Sequence, residues 1–293
     1  MTLPINKDTE LMPLVRWQFR GLEEKQRRGW LFERVVDAKG REYPGRKVAI
    51  GILGASTAVY AAAMDCTVDE IWDKYASGIR NPITPAIVAS GPVKERVHAY
   101  TELAEEGRGL EEFPIPISTP GFDAAPYFTA ACWITKDPDT GIRNMGVYRA
   151  MLKGPTRTGL LAHPGQHIGI HVRRAKENGW NKLPAALVVG GPPVIAIAAN
   201  AKLAYGVDEL AVAGGIAGYS IPLVRCESVD LEVPAEAEIV VEGYIDLEYL
   251  EPEGPFGEYT GYMAQQVMNH VFEVTCITHR KDPIYHGFIS QFP

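Results

Sequence analysis

The residues most suited to chemistry lie in two separated stretches of the 293-residue sequence. The first is Glu251-Pro252-Glu253-Gly254-Pro255-Phe256-Gly257-Glu258. Its prolines and glycines predict a stiff, irregular segment that is neither helix nor strand. Loops held on rigid scaffolds are where catalytic groups concentrate. If Glu253 and Glu258 share one pocket, their pKa values are driven apart, and one carboxyl stays protonated as an acid. The alternative is a solvated acidic loop. The second stretch is Asn144-Met145-Gly146-Val147-Tyr148-Arg149. As a strand it places Met145, Val147 and Arg149 on one side and Asn144, Gly146 and Tyr148 on the other. A buried Arg149 needs an anion, either a carboxylate or an anionic substrate. The alternative is a surface arginine on an edge strand.

His163, His167 and His171 recur every four residues. On a helix His167 and His171 share a face, a spacing that suits a metal. Pro164-Gly165 starts that helix and leaves His163 outside, and no glutamate completes an HExxH pattern. His98, His270, His279 and His286 have no partner legible in the sequence. Gly51-Ile52-Leu53-Gly54-Ala55-Ser56 and Gly214-Gly215-Ile216-Ala217-Gly218 lack the Rossmann and Walker spacings, so neither supports a nicotinamide or nucleoside-triphosphate enzyme. The first reads as a strand-to-helix turn, the second as a turn.

These residues must be positioned by surrounding elements. Helical spacing of Leu11, Leu14, Val15 and Phe19 predicts a helix from Glu10, with Pro13 in its first turn and Gly29 as its end. Residues 47–53 read as a buried strand. Thr67-Val68-Asp69-Glu70 is a capping-box pattern for a helix through Tyr75, and Asn81-Pro82 breaks the chain. Residues 104–126 read as a linker. Beyond it, strands are predicted over 127–135 and 144–152, joined by a turn at 136–141. Further strands are predicted over 185–190, 221–227, 237–246 and 269–278, with helices over 165–178 and 193–204. The expected fold is α+β, with a small N-terminal α/β region over 1–105 and a split β-barrel domain with inserted helices over 106–293.

Composition sets bounds. An apolar fraction of 46% suits a globular chain with a sizeable core. The net charge of −7, with both signs interspersed, gives no basic face for nucleic acid. Cys66, Cys132, Cys226 and Cys276 form no CxxC pair and read as isolated thiols of a reducing compartment. Neither a signal peptide nor an apolar run near the ~20 residues of a membrane span is evident. A cytoplasmic location is expected.

Taken together, the chemical motifs resemble those of the UbiD-type decarboxylases, which use prenylated FMN (prFMN). Asn144 to Arg149 resembles the family's N-x-x-x-Y-R segment. Gln166-His167, then Glu209 within Gly206-Val207-Asp208-Glu209-Leu210, follow in register. Glu253-Gly254-Pro255-Phe256-Gly257-Glu258-Tyr259-Thr260-Gly261-Tyr262 resembles the most recognisable signature. Phe113-Pro114-Ile115-Pro116 and Asp230-Leu231-Glu232-Val233-Pro234-Ala235 also look like family segments. The resemblance spans roughly residues 10 to 290.

The resemblance implies that Asn144, His167 and Glu209 hold Mn²⁺ or Mg²⁺, which bridges to the phosphate of prFMN. It implies a nearby K⁺, and a cofactor site formed by Asn144, Met145, Gly146, Val147, Tyr148, Arg149, Gln166, His167 and Glu209. Arg149, Glu253 and Glu258 become the catalytic network for reversible, non-oxidative decarboxylation of an aromatic or α,β-unsaturated acid. A flavin prenyltransferase would supply the cofactor. Family members are longer, which leads us to expect a C-terminal oligomerisation domain beyond Pro293 and a homo-oligomer at full length. Two other readings stay open: a flavin-binding fragment or subunit inactive without its missing part or a partner, and a zinc hydrolase built on His163 to His171.

Overall fold

The structure, a computed structural model, describes residues 1, 3–105 and 107–290. Helix α1 (Leu11–Gly21) buries Leu11, Met12 and Val15 and stops earlier than the expected Gly29. Arg27 folds back and donates to the carbonyls of Phe19 and Leu22, which satisfies the orphaned end of the helix. The strand Lys47–Ile50 ends at Gly51, whose φ of +73° turns the chain. The turn leads into helix α2 (Thr57–Ala63), capped by the Ser56 hydroxyl. This is the strand-to-helix turn that the sequence suggested. The Thr67/Glu70 capping box forms, and opens a 3₁₀ turn that passes into helix α3 (Ile71–Arg80), five residues longer than expected.

The centre of the fold is a nine-stranded antiparallel sheet. Its strands are β1 (Arg96–Ala99), β2 (Tyr127–Phe128), β3 (Cys132–Lys136), β4 (Arg143–Val147), β5 (Ala150–Gly154), β6 (Arg157–Leu160), β7 (Lys182–Val189), β8 (Ile239–Glu253) and β9 (Val267–His279). The spatial order is β2-β5-β6-β9-β8-β7-β3-β4, with β1 on the far part of β9. Helix α4 (His167–Glu177) packs on one face of it, and helices α5 (Pro193–Ala199) and α6 (Glu209–Ala217) on the other.

This order forces the sheet to curl. Strands β2 and β3 lie at opposite ends of it, yet only Thr129, Ala130 and Ala131 separate them. Strands β4 and β5 are likewise joined by Tyr148 and Arg149 alone. At about 3.3 Å per residue, such short links reach only if the two ends of the sheet meet, giving a half-barrel with a seam. The continuous strands expected over 127–135 and 144–152 are therefore each broken once, at the same level. Tyr148 N–H donates to the Ala131 carbonyl across the seam, at 3.3 Å.

Both faces of the sheet are buried. Along β7, Leu183, Ala185, Leu187 and Val189 join one apolar cluster, with α1, Phe113, Trp133 and Phe272, while Ala186 and Val188 join a second, with α5 and α6. Strand Ile284–Gly287 pairs in parallel with Lys47–Ile50, so the end of the described chain returns to its beginning. Gly214-Gly215, expected as a turn, lies inside α6. A Cβ on Gly215 would sit 2.5 Å from the Gly78 carbonyl oxygen, so these glycines let α6 approach α3 closely. The turn comes at Gly218, in the left-handed region. All four cysteines are free. Among the described residues, no helix is long and apolar enough to cross a membrane.

Candidate active site

Arg149 sits at the seam, where the chain leaves β4 for β5, and is 8% exposed. The surface-arginine alternative does not hold. Its Nε and Nη2 donate to Glu253 Oε1 and Oε2, at 3.0 and 2.9 Å, a bidentate pair. Its Nη1 donates to Glu258 Oε1. The Phe256 ring lies under the guanidinium, 5.0 Å to its centroid. Burial pulls the guanidinium pKa down, but the bonds to Glu253 and the charges of both glutamates outweigh it, and the net shift is upward.

Glu253 is fully buried, and Asn269 Nδ2 donates to it at 3.2 Å. It ends β8, so the segment expected to be irregular is a strand up to Glu253, with a further short strand at Phe256–Gly257. Pro252 is accommodated where β8 runs beside β9, in the register Pro252↔Met268. Only beyond Glu253 does the chain turn, at Gly254, with φ of +97°. Glu258 lies beyond the turn with its side chain 31% exposed. Half-buried Asp123 pins the loop between the two glutamates, accepting from Gly257 N–H at 2.8 Å. Neither glutamate belongs to a solvated acidic loop. The Tyr127 ring packs on Phe256, at 4.4 Å, and burial together with the Glu253 charge drives its phenol pKa far up.

Five residues before Arg149, Asn144 on β4 meets His167 at the start of α4, with Asn144 Oδ1 2.8 Å from His167 Nδ1. Glu209, first residue of α6, places Oε1 3.9 Å from His167 Nδ1, and its Oε2 accepts from Met145 N–H at 2.7 Å. Burial raises the Glu209 carboxyl to about 7. Burial, then the charge of Lys202, lowers the His167 pKa and favours the neutral imidazole. These three residues line a cavity of about 180 Å³ with Met145, Gly146, Val147, Tyr148 and Gln166. Gln166 caps α4 and accepts from His163 N–H. The strand alternation holds here: the Tyr148 hydroxyl occupies the space that a Cβ on Gly146 would need, 2.4 Å away.

The donors fit a hard or borderline divalent cation: an amide oxygen, a neutral imidazole and a buried carboxylate whose charge needs a counter-ion. The histidine triple does not assemble. His171 Nδ1 is bonded to Thr135 Oγ1 at 2.8 Å, and His163 lies exposed before the helix.

Several residues of the site carried no usable signal in the sequence. Lys202 lines the cavity, and Tyr205 sets its ring edge-on to both His167 and His171. Arg143 binds Asp208 Oδ2, at 2.6 Å, and Glu232, while Asp208 caps α6 and so fixes Glu209. Asp208 ahead of the apolar run Leu210–Val212 is an N-cap signature that would have revealed α6.

The model of the UbiD family, described as the 3-octaprenyl-4-hydroxybenzoate carboxy-lyase Rift-related domain, matches residues 86–292. The phenolic acid decarboxylase of Bacillus subtilis (strain 168) is 39% identical over 175 residues, 58% of this chain and 37% of its own length. The UbiD-class enzyme HmfF from Pelotomaculum thermopropionicum, in an evolved dimeric form in complex with prFMN, superposes with a TM-score of 0.86 at 35% identity. That match covers 99% of this chain and 64% of the HmfF chain. HmfF in complex with FMN gives 0.85 at 36% identity, covering 99% and 62%. This chain spans between 37% and 55% of the length of four curated relatives it matches. With the fold, the curled sheet and the family match in agreement, the chain belongs to the UbiD family.

Proposed function

We propose that this chain binds prFMN through a divalent cation, Mn²⁺ or Mg²⁺, and catalyses reversible non-oxidative decarboxylation of an aromatic or α,β-unsaturated carboxylic acid. Asn144, His167 and Glu209 hold the cation, and the backbone and side chains from Asn144 to Arg149, with Gln166, line the flavin. The observation that carries the reading is the buried Arg149–Glu253–Glu258 network, five residues along one chain segment from a metal-type donor set.

When bound, prFMN supplies the electron sink for loss of CO₂. The residues of the chain do the rest. Glu253 fixes the plane of the Arg149 guanidinium and balances its charge. Three of the five guanidinium N–H groups face the glutamates, which leaves two to orient a substrate carboxylate. Glu258 is within reach of both substrate and solvent. In its protonated form it delivers a proton to the carbon that has lost CO₂, and recovers one from water. In the carboxylation direction Glu258 takes the proton instead. Phe256 and Tyr127 keep water from the inner side of the pair.

A second reading is favoured by the share of the HmfF chain that is matched, 64%: a flavin-binding portion that needs the remainder of a longer protein, in a homo-oligomer, for turnover. One experiment separates the two. The chain is produced with a flavin prenyltransferase, Mn²⁺ and K⁺; bound flavin is read by absorbance and mass, and CO₂ release is followed over a panel of aromatic and unsaturated acids. Flavin with CO₂ release supports the enzyme; flavin alone supports the portion. Glu258→Gln should keep the flavin and lose turnover by at least about 100-fold. Wild-type turnover in that variant would sink the assignment.

A further inference from the structure

Away from the flavin-side site, two histidines that the sequence left without partners meet. His98 lies on β1 and His279 ends β9, and the strands pair in the register Ile277↔His98. The two Nε2 atoms are 3.1 Å apart, and the rings are nearly parallel, 5.1 Å between centroids. Glu112, in the 3₁₀ turn Gly109–Glu112, brings a carboxylate oxygen so near that one ligand atom from each residue lies within 4.8 Å of the others. Among the described residues, this is the one cluster of three histidine, cysteine or carboxylate donors so close together.

The other ring nitrogens decide what lies between the two Nε2 atoms. His279 Nδ1 faces the Arg280 backbone carbonyl, 2.5 Å away. His98 Nδ1 faces the Glu102 carboxylate at 3.4 Å. The Arg280 carbonyl can only accept, so His279 Nδ1 carries the N–H and His279 Nε2 offers a lone pair. A neutral imidazole has one N–H. His98 Nε2–H can donate to that lone pair across 3.1 Å; with His98 in its other tautomer both Nε2 atoms offer lone pairs to a cation set to one side of the line between them. Donating the remaining N–H to a carboxylate or a backbone carbonyl is also what metal-ligating histidines do. With metal–nitrogen bonds of about 2.05 Å, a 3.1 Å separation subtends about 98° at the metal, near a tetrahedral angle. Arg46 binds Glu112 Oε1, which orients the carboxylate and leaves Oε2 for a ligand.

We infer that His98, His279 and Glu112 form a second cation site, for a zinc-class divalent ion, with water in the fourth position. Two imidazoles and one carboxylate suit such an ion better than Mg²⁺. The ion would clamp the turn at Gly109–Glu112 to β1 and β9, a link independent of the flavin.

The test is a Zn²⁺ titration of the full chain carrying His167→Ala, which removes the imidazole of the flavin-side donor set. The expected result is one tightly held zinc per chain. Adding His98→Gln should weaken it at least about 100-fold and remove the zinc-dependent rise in Tm. Cobalt(II) as a probe should show the strong visible absorption of a tetrahedral centre, lost in the same variant. The side chain of His98 is 21% exposed, so glutamine is a mild change. Should that variant fail to fold, Glu112→Gln serves instead, with the same expected loss. Zinc affinity unchanged by either substitution, or no zinc bound by the His167→Ala chain, overturns the site and leaves a hydrogen-bonded histidine pair.

Discussion

At the scale of residues, Arg149 is decisive, because its charge is buried and its two partners are not equivalent. Glu253 is sealed in the interior and the Glu258 side chain is partly exposed. Neutralising Glu253 leaves a buried guanidinium without its main counter-charge, a loss that typically costs about 3–5 kcal/mol. Glu253→Gln should therefore lower the urea midpoint markedly. Glu258→Gln should change it little and act on turnover instead. Equal destabilisation by both would contradict the division of roles. Glu209 gives a second expectation. Its carboxyl stands at about 7, and a metal takes it ionised. Mn²⁺ affinity should fall about tenfold per pH unit below about pH 7, a slope that Glu209→Gln removes, as read by titration with the metal. Residue type raised Arg149 and the two glutamates as candidates beside their bland readings, and the role expected of Asn144 came only with the family resemblance. Tyr127, Asp123, Tyr205 and Lys202 were not legible, because their roles arise from packing between segments far apart in the chain.

At the scale of elements, the starts and ends of strands and helices set the chemistry. Glu209 is placed by helix α6, whose cap is Asp208, itself held by Arg143. Asp208→Ala should cost about 0.5–2 kcal/mol and also weaken Mn²⁺ binding, because the first turn that carries Glu209 loosens. Stability loss with unchanged metal affinity would show the cap to be structural only. Gly215→Ala puts a methyl against the Gly78 carbonyl, where overpacking costs about 1–3 kcal/mol, and a thermal melt reads it. The paired glycines were taken for a turn because a sequence does not say whether glycine is needed for φ or for lack of a side chain. Alternation within β4 was legible since it depends on neighbours two residues apart. The breaks at Thr129–Ala131 and Tyr148–Arg149 were not, since they answer to the closure of the whole sheet.

At the scale of the molecule, buried histidines tie stability to pH. Burial holds His171 and His286 down to about 4, whereas an unfolded histidine takes up its proton near 6.5. Between these values the unfolded chain binds more protons, so their contribution is complete above about pH 6.5 and is lost as pH falls toward about 4. Each such proton is worth about 1.4 kcal/mol per pH unit. Glu209, raised rather than lowered, works in the opposite sense in the metal-free chain: its contribution is present below the ordinary carboxylate range and lost as pH rises toward about 7. One carboxyl does not offset two histidines. The urea midpoint should therefore fall steadily from about pH 6.5 to about pH 5, less steeply in His171→Gln; a flat profile would count against it.

The seam also acts as a ruler. Asn144 and Arg149 ride on one segment, and five residues span at most roughly 17 Å. The separation between the Asn144 donor set and the Arg149 network is thus written in covalent bonds, not in the angle between two movable bodies. Under the proposed function a ligand would be measured against a fixed length of peptide, with its reacting end level with Arg149. Adding one residue between Val147 and Arg149 would both lengthen the ruler and turn its last mark to the other face of the sheet.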